Sequence, residues 1–278
     1  MIIFVRAKKR FFKVASMFNL TPNGQEENQM MTSIRKILLI FVIAALFPSA
    51  AWSQDESNWE FNLAPLYLWA IAIDGDLGIR GRTTSASVEF SDIWDNLEGV
   101  FTVRFNGLYR KKYGFVFDYN YLDLGTEKVT DQINVDVGFK SQIINLAGSY
   151  RFLNGNQTLD GVAGIRYTKL ESGIDLNNVG MRLDGDQDWV DPIVGLRYNY
   201  AFSDKWSLQL YGDIGGFGAA SDFTWQGLAL IDFQPWKYVA IVAGYRGIGT
   251  DYETGGETDK FTYDATVHGP LIGVDIRW

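Results

Sequence analysis

The sequence predicts an all-β protein: a transmembrane, up-and-down antiparallel β-barrel of about ten strands, with eight or twelve as alternatives. Three observations carry the prediction. Apolar and polar residues alternate along most of the chain after residue 58. Connections between the alternating segments are short and long by turns. The last segment, Pro270 to Trp278, puts Ile272, Val274, Ile276 and Trp278 on one face and Gly273, Asp275 and Arg277 on the other. A soluble strand has little reason to end on Trp beside an unpaired edge. A strand that closes a membrane barrel meets lipid on its oily face and the lumen on its polar face, with the aromatic at the interface.

The composition agrees. The chain has 278 residues, a formal charge of −8, 15% aromatic residues, 29 Gly and 6 Pro. It has no Cys, which excludes a disulfide scaffold and any thiolate metal site. Residues 1–30 read as an overlong or non-native N-terminal extension and 31–53 as a secretory signal. Arg35 and Lys36 give its positive start, Ile37 to Phe47 its apolar run, and Ala51-Trp52-Ser53 its small-residue site, with cleavage before Gln54. The apolar run is too short to span a bilayer as a helix. Removing residues 1–53 takes seven Lys/Arg and two Asp/Glu, and leaves 54–278 as the barrel with 18 basic against 31 acidic residues. That balance argues against nucleic acid as a partner.

The strands follow in order. Trp59 to Ile73 places Trp59, Phe61, Leu63, Pro65, Tyr67 and Trp69 on one face. Phe101, Val103, Phe105 and Tyr109 oppose Thr102, Arg104 and Asn106. Tyr113, Phe115, Phe117, Tyr119 and Tyr121 oppose Asp118 and Asn120. Ile144, Leu146, Tyr150 and Phe152 oppose Asn145, Ser149 and Arg151. Leu159, Ala163, Ile165 and Tyr167 oppose Asp160 and Arg166. Val190, Pro192, Val194, Leu196 and Tyr198 oppose Asp191 and Arg197. Trp206, Leu208, Leu210 and Ile214 oppose Gln209 and Asp213. Trp225, Ala229, Ile231 and Phe233 oppose Gln226 and Asp232. Val239, Ile241, Ala243 and Tyr245 oppose Gly244 and Arg246. The terminal strand makes ten. Short turns fall at 111–112, 154–157, 203–205 and 234–235. Longer polar links fall at 74–98, 126–136, 172–188 and 250–260. This is the asymmetry of short periplasmic turns and long outer loops. Trp59, Trp206 and Trp236 open strands at the short-turn end, and Phe152, Phe202, Phe233 and Trp278 close strands there, as a periplasmic girdle would.

Several stretches resemble a widespread family of small Gram-negative outer-membrane β-barrels: Pro65-Leu66-Tyr67-Leu68-Trp69, Ser91-Asp92-Ile93-Trp94-Asp95-Asn96-Leu97, Gly148-Ser149-Tyr150-Arg151-Phe152, Asp188 to Arg197, and Asp213-Ile214-Gly215-Gly216-Phe217-Gly218 with Ser221-Asp222. The resemblance implies the barrel fold and the bacterial outer membrane, and carries over no functional residues.

The inward face predicts a lumen lined by Arg104, Asp118, Arg151, Asp160, Arg166, Asp191, Arg197, Asp213, Asp232, Arg246, Asp275 and Arg277. Two readings stand open, a charged pore and an ion-pair plug. A barrel of about ten strands is barely wider than one that its own side chains fill. The expected function is porin-like passage of small solutes or ions through a narrow charged lumen. The alternatives are a non-conducting structural or surface-interaction barrel, and a lipid-modifying hydrolase using His268, the single histidine. A hydrolase triad needs a nucleophile within reach. Outer-membrane lipid hydrolases carry Ser two residues after the His, where this chain has Pro270, so no enzyme and no cofactor are expected. Asp184, Asp186 and Asp188 alternate like the start of a calcium loop but lack its later Gly and Glu. The expected partners are outer-membrane lipid and lipopolysaccharide, the barrel assembly machinery through the last strand, and divalent cations at the acidic loops.

Overall fold

The computed structural model describes residues 58–278 apart from 80–81, 89–96, 131–132, 177–180 and 257–259. The signal segment, its cleavage site and most of the stretch Ser91 to Leu97 lie outside the described residues. Twelve strands are present: β1 (Trp59–Trp69), β2 (Ala72–Ile79), β3 (Arg82–Val88), β4 (Leu97–Tyr109), β5 (Tyr113–Thr130), β6 (Ile133–Leu153), β7 (Gln157–Leu176), β8 (Met181–Ala201), β9 (Trp206–Gly216), β10 (Phe223–Phe233), β11 (Val239–Thr254) and β12 (Phe261–Arg277). Ten of them, β1 and β4 to β12, form one closed ring, sealed where β1 pairs with β12 antiparallel. The β2–β3 hairpin is extra. It continues upward from β1 and pairs with the far half of β12. Closure satisfies every wall strand on both sides at the short-turn end, which removes the edge that an open sheet would leave.

The short turns lie where the sequence places them. At the first, Arg110 and Lys111 both take positive φ, of 50° and 53°, and the Lys112 N–H donates to the Tyr109 carbonyl at 3.0 Å. Two consecutive left-handed residues match the twist of the flanking strands. At the third, Ser203 Oγ accepts from the Trp206 N–H at 3.1 Å and holds the turn.

The long links are corrected. Residues 126–136 and 172–188 are mostly strand, because β5 runs to Thr130, β6 starts at Ile133, β7 runs to Leu176 and β8 starts at Met181. Their acidic residues sit in a two-residue period with Val, Ile and Leu, which a solvated strand tolerates as well as a loop does. The strands β6, β7 and β8 have 21, 20 and 21 residues, whereas β9 and β10 have 11 each. A membrane strand needs about 9–11. The wall therefore rises high on the β5–β8 side and stops low at the β9–β10 hairpin.

The face of β1 is also corrected. Its register against β12 shifts between Leu63 and Leu66, around Pro65, which has no N–H to give. One extra residue at this bulge reverses the alternation. Trp59, Phe61 and Leu63 face out as expected, but Tyr67 and Trp69 turn inward and are buried. The same bulge ends the β1–β4 ladder at Ala64 opposite Arg104. Above it, among the described residues, the Thr102 side chain joins the strands. The Tyr67 N–H donates to Thr102 Oγ1 at 3.2 Å, and the Thr102 hydroxyl donates to the Tyr67 carbonyl. Thr102→Val keeps the shape and removes both bonds. It should lower stability by about 1–3 kcal/mol, read as a lower urea midpoint of the folded barrel in detergent; an unchanged midpoint would show that the strands hold without this bridge.

Candidate functional site

Outward residues are apolar through the middle of the wall: Leu146, Ile165, Val194, Leu210, Ile231, Ile241 and Ile272 are all exposed. Aromatic residues bound this band. At the short-turn end, Trp59, Phe152, Phe202, Trp206 and Trp236 are exposed, Phe233 packs on Trp206 with ring centroids 4.5 Å apart, and Trp278 lies 5.7 Å from Phe61. Lys112 reaches over the Tyr150 ring, and its bond and attraction to Tyr150 raise its ammonium pKa. Toward the other end stand Phe217, Phe223, Trp225 and Tyr245.

Inward residues are polar at the short-turn end, because Arg and Asp there alternate with the apolar outer face. They line a vestibule of about 520 Å³ that includes Arg104, Arg151, Arg197, Asp232, Asp275 and Arg277 and the turn residues Gly155 and Asn156. Arg151 Nε lies 2.6 Å from Asp160 Oδ1, and Arg197 Nη2 lies 2.9 Å from Asp160 Oδ2, so one carboxylate serves both guanidiniums. Across the vestibule Arg277 is shared by Asp232 and Asp275.

A second layer closes the vestibule. Arg246 donates through Nη1 to Tyr67 Oη at 2.6 Å and Asn120 Oδ1 at 2.9 Å, and through Nη2 to Asp118 Oδ1 at 2.9 Å and Gln226 Oε1 at 2.8 Å. Arg104 Nε donates to the other oxygen of Asp118 at 2.8 Å. Arg166 donates to Asn145 and Thr224 and to both oxygens of Asp213, at 2.8 and 2.9 Å. Gln226 Oε1 also accepts from Arg166 at 3.4 Å and joins the two clusters. Arg166 and Arg246 are 0% exposed, so solvent reaches neither from either end. Asp191, equally buried, has no arginine among its described partners: its carboxylate accepts from the Ser221 N–H at 2.9 Å and Trp189 Nε1 at 3.0 Å.

Beyond this layer the interior is apolar. Trp69, Ile71, Leu122, Ile143, Leu170, Trp189, Ile248, Tyr252, Tyr263 and Val267 form one buried cluster, with Trp189 stacked on Tyr252 at 4.0 Å. Strict alternation predicts an inward face that is polar throughout, and it misses this cluster. The signal was present in runs apolar on both parities, such as Leu228-Ala229-Leu230-Ile231 and Ile143-Ile144.

His268 sits on the outer face. Its Nδ1 lies 2.6 Å from Tyr245 Oη and its Nε2 2.9 Å from Asp74 Oδ2. Among the described residues no Ser or Thr hydroxyl bonds to it. Asp184, Asp186 and Asp188 belong to β8, not to a loop. Alternate strand residues are about 7 Å apart along the chain and do not wrap an ion. Among the described residues no group of three His, Asp or Glu is placed to hold a metal ion.

No protein-family model matches the chain. No curated sequence matches it. Solved structures do. The outer-membrane protease OmpT of Escherichia coli superposes with a TM-score of 0.51 at 7% identity, over 82% of this chain and 99% of that one. Ail, the attachment invasion locus protein of Yersinia pestis, gives 0.37 at 12% identity, over 79% and 97%. OprG of Pseudomonas aeruginosa gives 0.36 at 12%, over 81% and 98%. The fold is that of the Gram-negative outer-membrane β-barrels.

Proposed function

We propose that the protein resides in the bacterial outer membrane as a sealed, non-conducting barrel with a structural or surface-interaction role. The apolar band supports the location. On β10 it runs from Phe233 to Phe223. Ten steps of about 3.3 Å at a tilt of about 40° give about 25 Å, the height of a membrane barrel's apolar belt. With the short turns periplasmic, the tall β5–β8 wall stands outside the cell and supplies the surface for interaction. The buried middle layer carries the non-conducting reading: Arg166 and Arg246 are held by Asp118, Asp213 and neutral partners, and apolar side chains pack beyond them. Purified barrel in a planar bilayer should give no discrete conductance steps.

The porin-like reading keeps one supporting observation, the open charged vestibule at the short-turn end. It requires the middle layer to move. Steps whose ion selectivity shifts in Arg104→Ala would establish passage and overturn the sealed reading.

A further inference from the structure

Five arginines meet four aspartates around the vestibule, and they are shared unevenly. On the β4–β8 arc, Asp160 is shared by Arg151 and Arg197, and Asp118 is shared by Arg104 and, from across the lumen, by Arg246 of β11. Each set holds two guanidiniums against one carboxylate. At the vestibule face of the β10–β12 arc, Arg277 lies between Asp232 and Asp275, one guanidinium against two carboxylates. A charge taken out of water needs a counter-charge, and each arginine-rich set is one short. Donors remain to meet one. Among the described residues, Nη1 of Arg151 and of Arg197 and both terminal nitrogens of Arg104 make no hydrogen bond. These arginine side chains are only 12–14% exposed, held by their carboxylates, and border the same cavity. Arg104 and Arg197 also border the small void of about 30 Å³ beneath the middle layer. Fixed, part-desolvated guanidinium forks are suited to oxyanions. The cavity, at about 520 Å³, has the size of a small-molecule site.

We propose that the vestibule binds a small solute bearing a carboxylate or phosphate group, held by Arg104, Arg151 and Arg197 and loaded from the short-turn end. The proposal goes beyond the sealed-barrel reading and does not need it, since a vestibule binds whether or not the barrel conducts.

The test is calorimetric titration of the folded protein in detergent with inorganic phosphate, succinate and, as a neutral control, glycerol. Phosphate or succinate should bind and glycerol should not. Binding of phosphate alone assigns a phosphate ligand, and binding of succinate alone a carboxylate. Arg151→Gln and Arg197→Gln each leave Asp160 one partner, and each should weaken binding at least tenfold. A second measurement keeps every arginine in place. Ser207 lines the vestibule and the chain has no Cys, so Ser207→Cys gives a single thiol. Its modification by a water-soluble thiol reagent should slow at least fivefold in saturating anion. Binding of neither anion to the folded protein overturns the proposal. So does undiminished binding by both glutamine variants, or a labelling rate of the Ser207→Cys variant that the anion leaves unchanged.

Discussion

Asp118→Asn should destabilise the folded barrel by about 3–5 kcal/mol, the usual cost of stranding a buried charge. The side chains have nearly the same shape, so no cavity contributes. Asp118 is 2% exposed and is the shared carboxylate of Arg104 and Arg246. With Asn in its place, Arg246 keeps only the neutral partners Tyr67, Asn120 and Gln226 in a site solvent does not reach. The loss should appear as a lower urea midpoint and a lower temperature for the shift of the folded band on gels. Arg104→Gln should cost much less, because Asp118 then still faces Arg246. Equal midpoints for Asp118→Asn and the native protein would show that the middle layer takes in water and neutralises itself.

Arg166→Met should cost a similar amount, about 3–5 kcal/mol, by leaving Asp213 buried without its partner. Here the arithmetic differs, because Arg166 and Asp213 form a one-to-one pair. The double variant Arg166→Met with Asp213→Leu removes both charges and should recover most of the loss, giving a coupling energy of about 2 kcal/mol or more. No single second substitution does this for Asp118→Asn, since two arginines depend on that carboxylate. A double variant as unstable as the sum of the singles would mean that Arg166 contributes through Asn145, Thr224 and Gln226 rather than through its charge.

Period two made the wall legible. It placed Arg104, Asp118, Arg151, Asp160, Arg166, Arg197, Asp213, Arg246 and Asp275 on the inner face, because each lies between residues that lipid would accept. Which arginine meets which aspartate was not legible. Pairs such as Arg246 with Asp118 cross the lumen, 128 positions apart in sequence, and no periodicity encodes that contact. Tyr67 and Trp69 were misplaced because alternation cannot register one extra residue. Pro65 was the visible warning, since proline in a paired strand marks an edge or a bulge. The tall β5–β8 wall reads as loops when polarity is taken for irregularity. Outside a membrane, a strand is free to be polar on either face.

The junction beside Thr102 has a mechanical meaning. A closed ring carries tension around its circumference, and that load passes through every neighbouring pair in series. Between most strands it is spread over many backbone bonds; β6 and β7 pair from Val135 to Leu153. Between β1 and β4 above Ala64, among the described residues, the ladder gives way to side-chain bonds, from Thr102 to the Tyr67 backbone and from the Tyr67 hydroxyl to Asp118 and Asn120 of β5. Upper β1, with β2 and β3, is fastened to β12 instead. The backbone of that panel thus belongs to β12, and what ties it to the β4–β5 side is carried by side chains, Thr102 at the strand junction and Tyr67 through Asp118 and Asn120.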